Sequence, residues 1–255
     1  KYYRSGKAAI SPALGAHRGP VIAGHEPCGV VAAIGANVPA NQAQVGQRVM
    51  VHHYRGCGVC PQCQTGWMQL CDDGGLEVYG TTGHGGHARY MKCPARTLVP
   101  LPDELSFDAG AAISCGTGTA WGALKRLDLS GEQTIAIFGQ GPVGLSATLL
   151  AARMGARVIA LDTNEQRLSQ AKAFGAHETI DPTKTNDVVG AIKDLTHGRG
   201  AHATLDASSS PLARAQAVRG TGIATPAHDV TWRASTTPTP SATNCSRSGT
   251  GRNAT

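Results

Sequence analysis

The stretch TIAIFGQGPVGLSATLLAARMGARVIALD, residues 134 to 162, constrains this chain more than any other. Thr134 to Phe138 reads as a buried strand and Val143 to Met154 as an apolar helix; Arg157 to Leu161 reads as a second strand, ending in Asp162. A strand, helix and strand of these lengths pack as a crossover on a parallel sheet, so an α/β architecture is expected. The turn between the first strand and the helix carries Gly139, Gly141 and Gly144. A bare GxGxxG is weak, but one placed between strand and helix, with an acid 18 residues after its third glycine, is specific. The first glycine permits the tight turn, the second lets the backbone approach a pyrophosphate, and the third lets the helix pack on the strand. Unpaired amides at the helix start, around Pro142 and Val143, would then face the phosphates. Asp162 would accept the adenosine ribose hydroxyls and repel a 2′-phosphate, which predicts NAD rather than NADP. Arg167 lies five residues further on and could meet a phosphate, although an arginine on the exposed face of the next helix is the commoner reading.

The sheet continues through HETID (177–181), a helix from Val188 to Leu195 and a strand from Ala203 to Asp206. That makes four strands where a complete dinucleotide fold has about six.

Upstream, GCGVCPQCQTGWMQLC places Cys57, Cys60, Cys63 and Cys71, four of the chain's eight cysteines, within sixteen residues. Four thiolates this close make a closed tetrahedral site, the arrangement of structural zinc, whereas catalytic zinc keeps one position open. Paired disulfides or four unrelated thiols are the alternatives. The chain shows no export signal and no apolar run long enough to cross a bilayer, so the expected compartment is the reducing cytoplasm, where CxxC repeats read as metal sites.

With 255 residues and 41% apolar content, one large or two modest domains can bury a core. The net charge of +6 comes from scattered Lys and Arg without interleaved aromatics, which argues against nucleic acid. Short β-like runs from Val21 to Pro102, namely GVVAAIG, QRVMVHHY and ARYMKC, predict a mostly β first domain. The change of period after LSFDAGAAISCGTGTAWGALKRL puts the boundary at 116/117. The expected domains are 1–116, 117–219 and an irregular tail, 220–255, rich in Thr, Ser, Ala, Gly and Pro. The tail reads as disordered, and the loss of pattern after Arg219 suggests a change of reading frame or an artefactual tail.

In their order, GHEPCGVVAAIG, GCGVCPQCQTGWMQLC, GGHARYM, ISCGTGTAWGAL and IFGQGPVG resemble the zinc-dependent medium-chain alcohol dehydrogenase family, over about residues 1 to 219. The resemblance implies a GroES-like catalytic domain followed by a Rossmann domain, with the active site in the cleft between them. It makes Cys57, Cys60, Cys63 and Cys71 the structural zinc lobe. It also makes His25 and Cys115 ligands of a catalytic zinc, with Glu26 beside the metal as an orienting group or transient ligand. Cys28, Cys93 and Cys245 read as small buried residues, and His52, His53, His84 and His87 as structural or surface residues.

The implied reaction is hydride transfer between an alcohol, or the matching carbonyl compound, and NAD. Cys115 favours simple alcohols over polyols. The full-length parent would be a homo-oligomer that engages neither nucleic acid nor membrane. The family places another cysteine ligand about five residues upstream of the position matching Lys1, so the expectation is a chain truncated at both ends whose catalytic zinc is loosely held by two ligands. A non-catalytic zinc- and dinucleotide-binding module is the alternative function.

Overall fold

The computed structural model describes residues 20–222, which form three sheets, two small antiparallel ones in the first half and a parallel one in the second, with a helical run between the halves. In chain order the first half contains β1 (Cys28–Val30), β2 (Arg48–Val51), β3 (Tyr54–Arg55), the short helix α1 (Pro61–Gln64), β4 (Glu77–Val78) and β5 (Leu98–Pro100). β1, β2 and β5 form an antiparallel sheet with β2 in the middle, so that Met50 stands opposite Cys28 on one side and Val99 on the other. β3 and β4 pair separately, Tyr54 opposite Val78.

The strands are shorter than the sequence pattern predicts. Of GVVAAIG, only Gly29 and Val30 lie in a strand, and ARYMKC forms none: Ala88, Arg89 and Tyr90 are exposed and in no strand among the described residues. β-propensity measures fit to a half-buried pleated surface, and a segment without a neighbouring strand has no such surface to fit. The run QRVMVHHY is interrupted as well. β2 stops at Val51 and β3 starts at Tyr54, leaving His52 and His53 in a bend between them.

A helical run follows, made of α2 (Phe107–Ala112), a π-helical turn (Ile113–Thr117) and α3 (Gly118–Arg126). The Ser106 hydroxyl starts it by accepting the Ala109 amide at 3.1 Å, one of the donors that a helix start leaves without a partner. The expected boundary at 116/117 falls inside this run.

The second half alternates β6 (Thr134–Phe138), α4 (Pro142–Arg153), β7 (Arg157–Leu161), α5 (Glu165–Ala173), β8 (Glu178–Ile180), α6 (Val188–Asp194), β9 (Ala203–Asp206) and α7 (Pro211–Gly220). The four strands are parallel in the order β8-β7-β6-β9, with Ile137 flanked by Ala160 and Leu205. Chain direction across the sheet reverses between β6 and β9, and the crevice at such a switch point is where open α/β sheets bind ligands. β6 is buried along its whole length because helices cover both of its faces. Ile135 and Ile137 pack with Leu124, Ala147, Val158 and Leu205 on one side, and Ala136 and Phe138 with Ile159, Leu161, Ile192 and Ala217 on the other. Each fully buried Ile, Leu or Phe contributes about 1.5–3 kcal/mol.

Of the segment expected to be an irregular tail, residues 220–222 are described, and Gly220 ends α7 while Thr221 forms a bridge with Ala201. The rest of the predicted tail, Cys245 and the segment around Lys1 lie outside the described residues. No helix among the described residues is long and apolar enough to cross a membrane.

Candidate functional site

The cysteine lobe closes locally. α1 and a 3-10 turn (Met68–Leu70) fold the loop so that the sulfurs of Cys57, Cys60, Cys63 and Cys71 all lie within 4.8 Å of one another. The Cys57 and Cys63 sulfurs are 3.9 Å apart, nearly twice a disulfide length and close to the edge of about 3.8 Å that a zinc–sulfur tetrahedron with bonds of about 2.3 Å requires. Backbone amides already point at sulfur: Cys60 N lies 3.2 Å and Val59 N 3.4 Å from Cys57 Sγ, and Cys57 N lies 3.3 Å from Cys71 Sγ. The amides of Asp72 and Cys63 draw the Cys60 thiol down to about 7, while the Asp73 carboxylate pushes Cys57 up to about 12. This donor set fits a closed tetrahedral zinc, and the disulfide alternative does not fit, since all four cysteines are free.

A second cluster is assembled from distant segments. Residues 22–24 are pinned against 85–87 by backbone hydrogen bonds, Gly85 N to Ile22 O at 2.8 Å, Gly86 N to Gly24 O at 2.9 Å and His87 N to Ala23 O at 2.8 Å. Gly24 adopts a φ of +102°, and a Cβ there would stand 2.7 Å from the His87 ring, so only glycine allows this approach. His25 follows directly, and its Nδ1 donates to the Tyr79 carbonyl at 2.9 Å. Cys115 comes from the π-helical turn. Burial and then the Glu26 carboxylate beside it push its thiol up to about 11. A cation reverses that balance, because a ligating cysteine must be a thiolate.

His53 belongs to the same cluster, contrary to its reading as a structural or surface residue. It is 3% exposed, its ring centroid is 4.1 Å from that of His25, and ligand atoms of His25, His53 and Cys115 lie within 4.8 Å of one another. Burial, and then the neighbouring His25 and His52, lower its pKa to about 3, so the ring is neutral and keeps a lone pair. The HHY run carried no spacing signal for this placement, which follows from the bend between β2 and β3. His52 is partly buried beside His53, whereas His84 and His87 are exposed. Cys28 and Cys93 are partly buried and outside both clusters. A groove of about 1670 Å³ along β1 reaches His25 and Glu26 but not His53 or Cys115.

The glycine turn has the form the sequence predicts. Gly139 has φ +87°, and a Cβ there would stand 2.7 Å from Ser208 Cα; a Cβ on Gly144 would collide with the Gly139 carbonyl. The position over Gly141 is open, with nothing within 4 Å, which leaves room for a ligand against the start of α4, where Pro142 occupies the first turn. Asp162 is 8% exposed. One of its oxygens accepts the Gln140 amide at 2.6 Å and the other the Asn164 amide at 2.8 Å. Arg167 is half-exposed on α5, yet its guanidinium lies 3.7 Å from Asp162. The two parts of the molecule meet at the π-helical turn. Thr117 Oγ1 and Ser146 Oγ are 3.1 Å apart, and a Cβ on Gly116 would touch Pro142 at 3.6 Å.

Two family models match the chain, the alcohol dehydrogenase GroES-like domain over residues 2–103 and the zinc-binding dehydrogenase domain over residues 142–224. The chain is 38% identical over 221 residues to the zinc-type alcohol dehydrogenase-like protein YphC of Escherichia coli K12, covering 86% of this chain and 62% of that protein. It is 35% identical over 195 residues to an alcohol dehydrogenase of Geobacillus stearothermophilus, covering 76% of this chain and 56% of the relative. Among solved structures, an NAD-dependent alcohol dehydrogenase superposes with a TM-score of 0.73 at 30% identity, over 87% of this chain and 62% of that one. The alcohol dehydrogenase TADH from Thermus sp. ATN1 gives 0.72 at 28% identity, over 80% and 60%. The chain thus spans about 60% of the length of the relatives it matches. The second family model is described as a zinc-binding dehydrogenase, and the first of these solved structures as NAD-dependent. With a GroES-like half, a parallel dinucleotide-type sheet and both cysteine-bearing motifs in place, the chain belongs to the zinc-dependent medium-chain dehydrogenase/reductase, or alcohol dehydrogenase, family.

Proposed function

We propose that this chain forms the catalytic and cofactor-binding parts of an NAD-dependent zinc oxidoreductase that moves hydride between an alcohol and NAD. The observation that carries this reading is the π-helical turn Ile113–Thr117, which presents Cys115 to the histidine cluster on one side and abuts the start of α4 at Pro142 and Ser146 on the other. A metal-competent cluster and a dinucleotide-type turn that share one structural element support a reading in which the two act together.

In this reading Cys57, Cys60, Cys63 and Cys71 hold a structural zinc, and His25 and Cys115 hold the catalytic zinc. The catalytic zinc supplies a Lewis acid for the alcohol or carbonyl oxygen, and NAD supplies the hydride acceptor or donor. His25 is oriented by its hydrogen bond to the Tyr79 carbonyl, and Glu26 sits beside Cys115 to tune and orient the donors. Gly139 and Gly144 shape the turn, Gly141 leaves space for the pyrophosphate, and the amides of Val143 and Gly144, following Pro142, face it. Asp162 accepts the ribose hydroxyls with lone pairs that its two backbone contacts leave free. Arg167, held on Asp162, neutralises part of the charge that would repel a phosphate.

The domain division at 116/117, a cytoplasmic location that keeps the thiols reduced, a simple alcohol as substrate and a homo-oligomeric full-length parent belong to the same proposal. It is tested by zinc content, NAD binding, and turnover over primary alcohols, secondary alcohols and polyols. Two zinc ions per chain with NAD-linked turnover on extending the chain to the family length supports the enzyme. One ion with NAD binding and no turnover in either form supports a zinc- and dinucleotide-binding module instead.

A further inference from the structure

His53 is a buried, chemically competent side chain that the proposed function leaves without a task. Its Nδ1 lies 3.1 Å from the carbonyl of Ser114, the residue next to Cys115, just as His25 Nδ1 lies 2.9 Å from the Tyr79 carbonyl. In both rings a proton on Nδ1 satisfies a backbone acceptor and leaves Nε2 with the free lone pair. Metal-ligating histidines almost always make such a contact through their second nitrogen, which fixes both tautomer and ring orientation. The His25 and His53 rings approach to 4.1 Å at an interplanar angle of 50°, so they converge without stacking. The donor atoms of His25, His53 and Cys115 lie within 4.8 Å of one another, close enough for one cation to take all three.

We propose that His53 is a protein ligand of the metal held by His25 and Cys115, so that the bend between β2 and β3 completes a His2Cys donor set. This rests on reading that cluster as a zinc site. It adds a donor to His25 and Cys115, the two that the sequence motifs supply. Three protein donors define a tetrahedral site and leave one position for substrate or water. The carbonyl of Ser114 ties the His53 ring to the turn that supplies Cys115, so the two ligands are positioned together.

The test uses the full 255-residue chain. Zinc is counted by elemental analysis, and Co2+ binding is followed by visible absorption, with the bands of a His25→Ala variant subtracted so that the cysteine lobe does not contribute. The wild type is expected to hold two ions. His53→Ala is expected to keep the lobe ion and to raise the Co2+ dissociation constant of the second site more than about 100-fold, beyond the roughly 10–100-fold that loss of an outer partner costs. His53→Cys is expected to retain the second ion and add a further thiolate-to-cobalt charge-transfer band, which a residue that only walls the cavity cannot produce. An affinity in His53→Ala within about tenfold of wild type, with unchanged bands, overturns the ligand assignment while leaving the zinc reading intact. If His53→Ala fails to fold, the absence of a new charge-transfer band in His53→Cys overturns it instead. A wild-type chain that takes up one ion, in the lobe, overturns both the zinc reading of the cluster and this proposal.

Discussion

The cysteine lobe and the His25–His53–Cys115 cluster each gather metal-competent side chains within 4.8 Å, and they are built in opposite ways. The lobe takes all four donors from residues 57–71, so one short loop with a turn of helix closes it, at little cost in loop entropy. The cluster draws on three separate segments: the turn after Gly24, the bend between β2 and β3, and the π-helical turn between α2 and α3. It exists only once the antiparallel sheet and the helical run are both in place. A metal in the lobe therefore reports on a local fold that it helps to hold, whereas a metal in the cluster reports on tertiary assembly.

The largest expected effect breaks the lobe. Cys60→Ser should lose the lobe zinc and at least about 3 kcal/mol of stability, a fraction of the roughly 10–16 kcal/mol that structural zinc supplies to small domains. Metal analysis and thermal melting check this, and a variant that kept both its zinc and its melting temperature would remove the structural assignment. NAD affinity, measured on whatever folded fraction remains, should be unchanged, because the glycine turn shares no contact with the lobe sulfurs.

An intermediate effect separates the dinucleotide half from both metal sites. Asp162→Ser should weaken NAD by about 1–3 kcal/mol, or about 5- to 150-fold, because it removes a buried charged acceptor. It also frees Arg167 from its ion pair. The relative affinity for NADP should therefore rise in Asp162→Ser and fall back in the double variant with Arg167→Ala. Fluorescence titration with both cofactors measures this, and an unchanged preference would reduce Asp162 to a strand-end residue. Zinc content should not move.

The smallest effect tests how the lobe is anchored. The Arg126 guanidinium at the end of α3 lies 4.3 Å above the Trp67 ring. Trp67→Ala should cost about 1 kcal/mol or slightly more, as expected for a partly exposed cation–π contact with some packing. It should leave the lobe zinc in place. Loss of the ion in this variant would show that the lobe is not locally self-sufficient, which is the premise of the comparison.

Periodicity and spacing alone placed β6, β7 and β9 at their observed limits, the glycine turn with Asp162 at its strand end, and the four cysteines in one cluster. These features are legible because their physics is local: a buried parallel strand is a continuous apolar run, a tight turn needs glycine where a Cβ would collide, and a loop closes most readily on donors a few residues apart. Tertiary structure decided the rest. ARYMKC has the composition of a strand but no neighbour to pair with among the described residues. Arg167 lies on an exposed helical face, and only the approach of α5 to the end of β7 puts it on Asp162. His53 follows His52 in a run that alternation reads as one strand; the bend that splits the run turns its ring toward His25 and lets its Nδ1 reach the Ser114 carbonyl. No spacing along the chain encodes that contact, because it depends on two elements packed together through side chains from both.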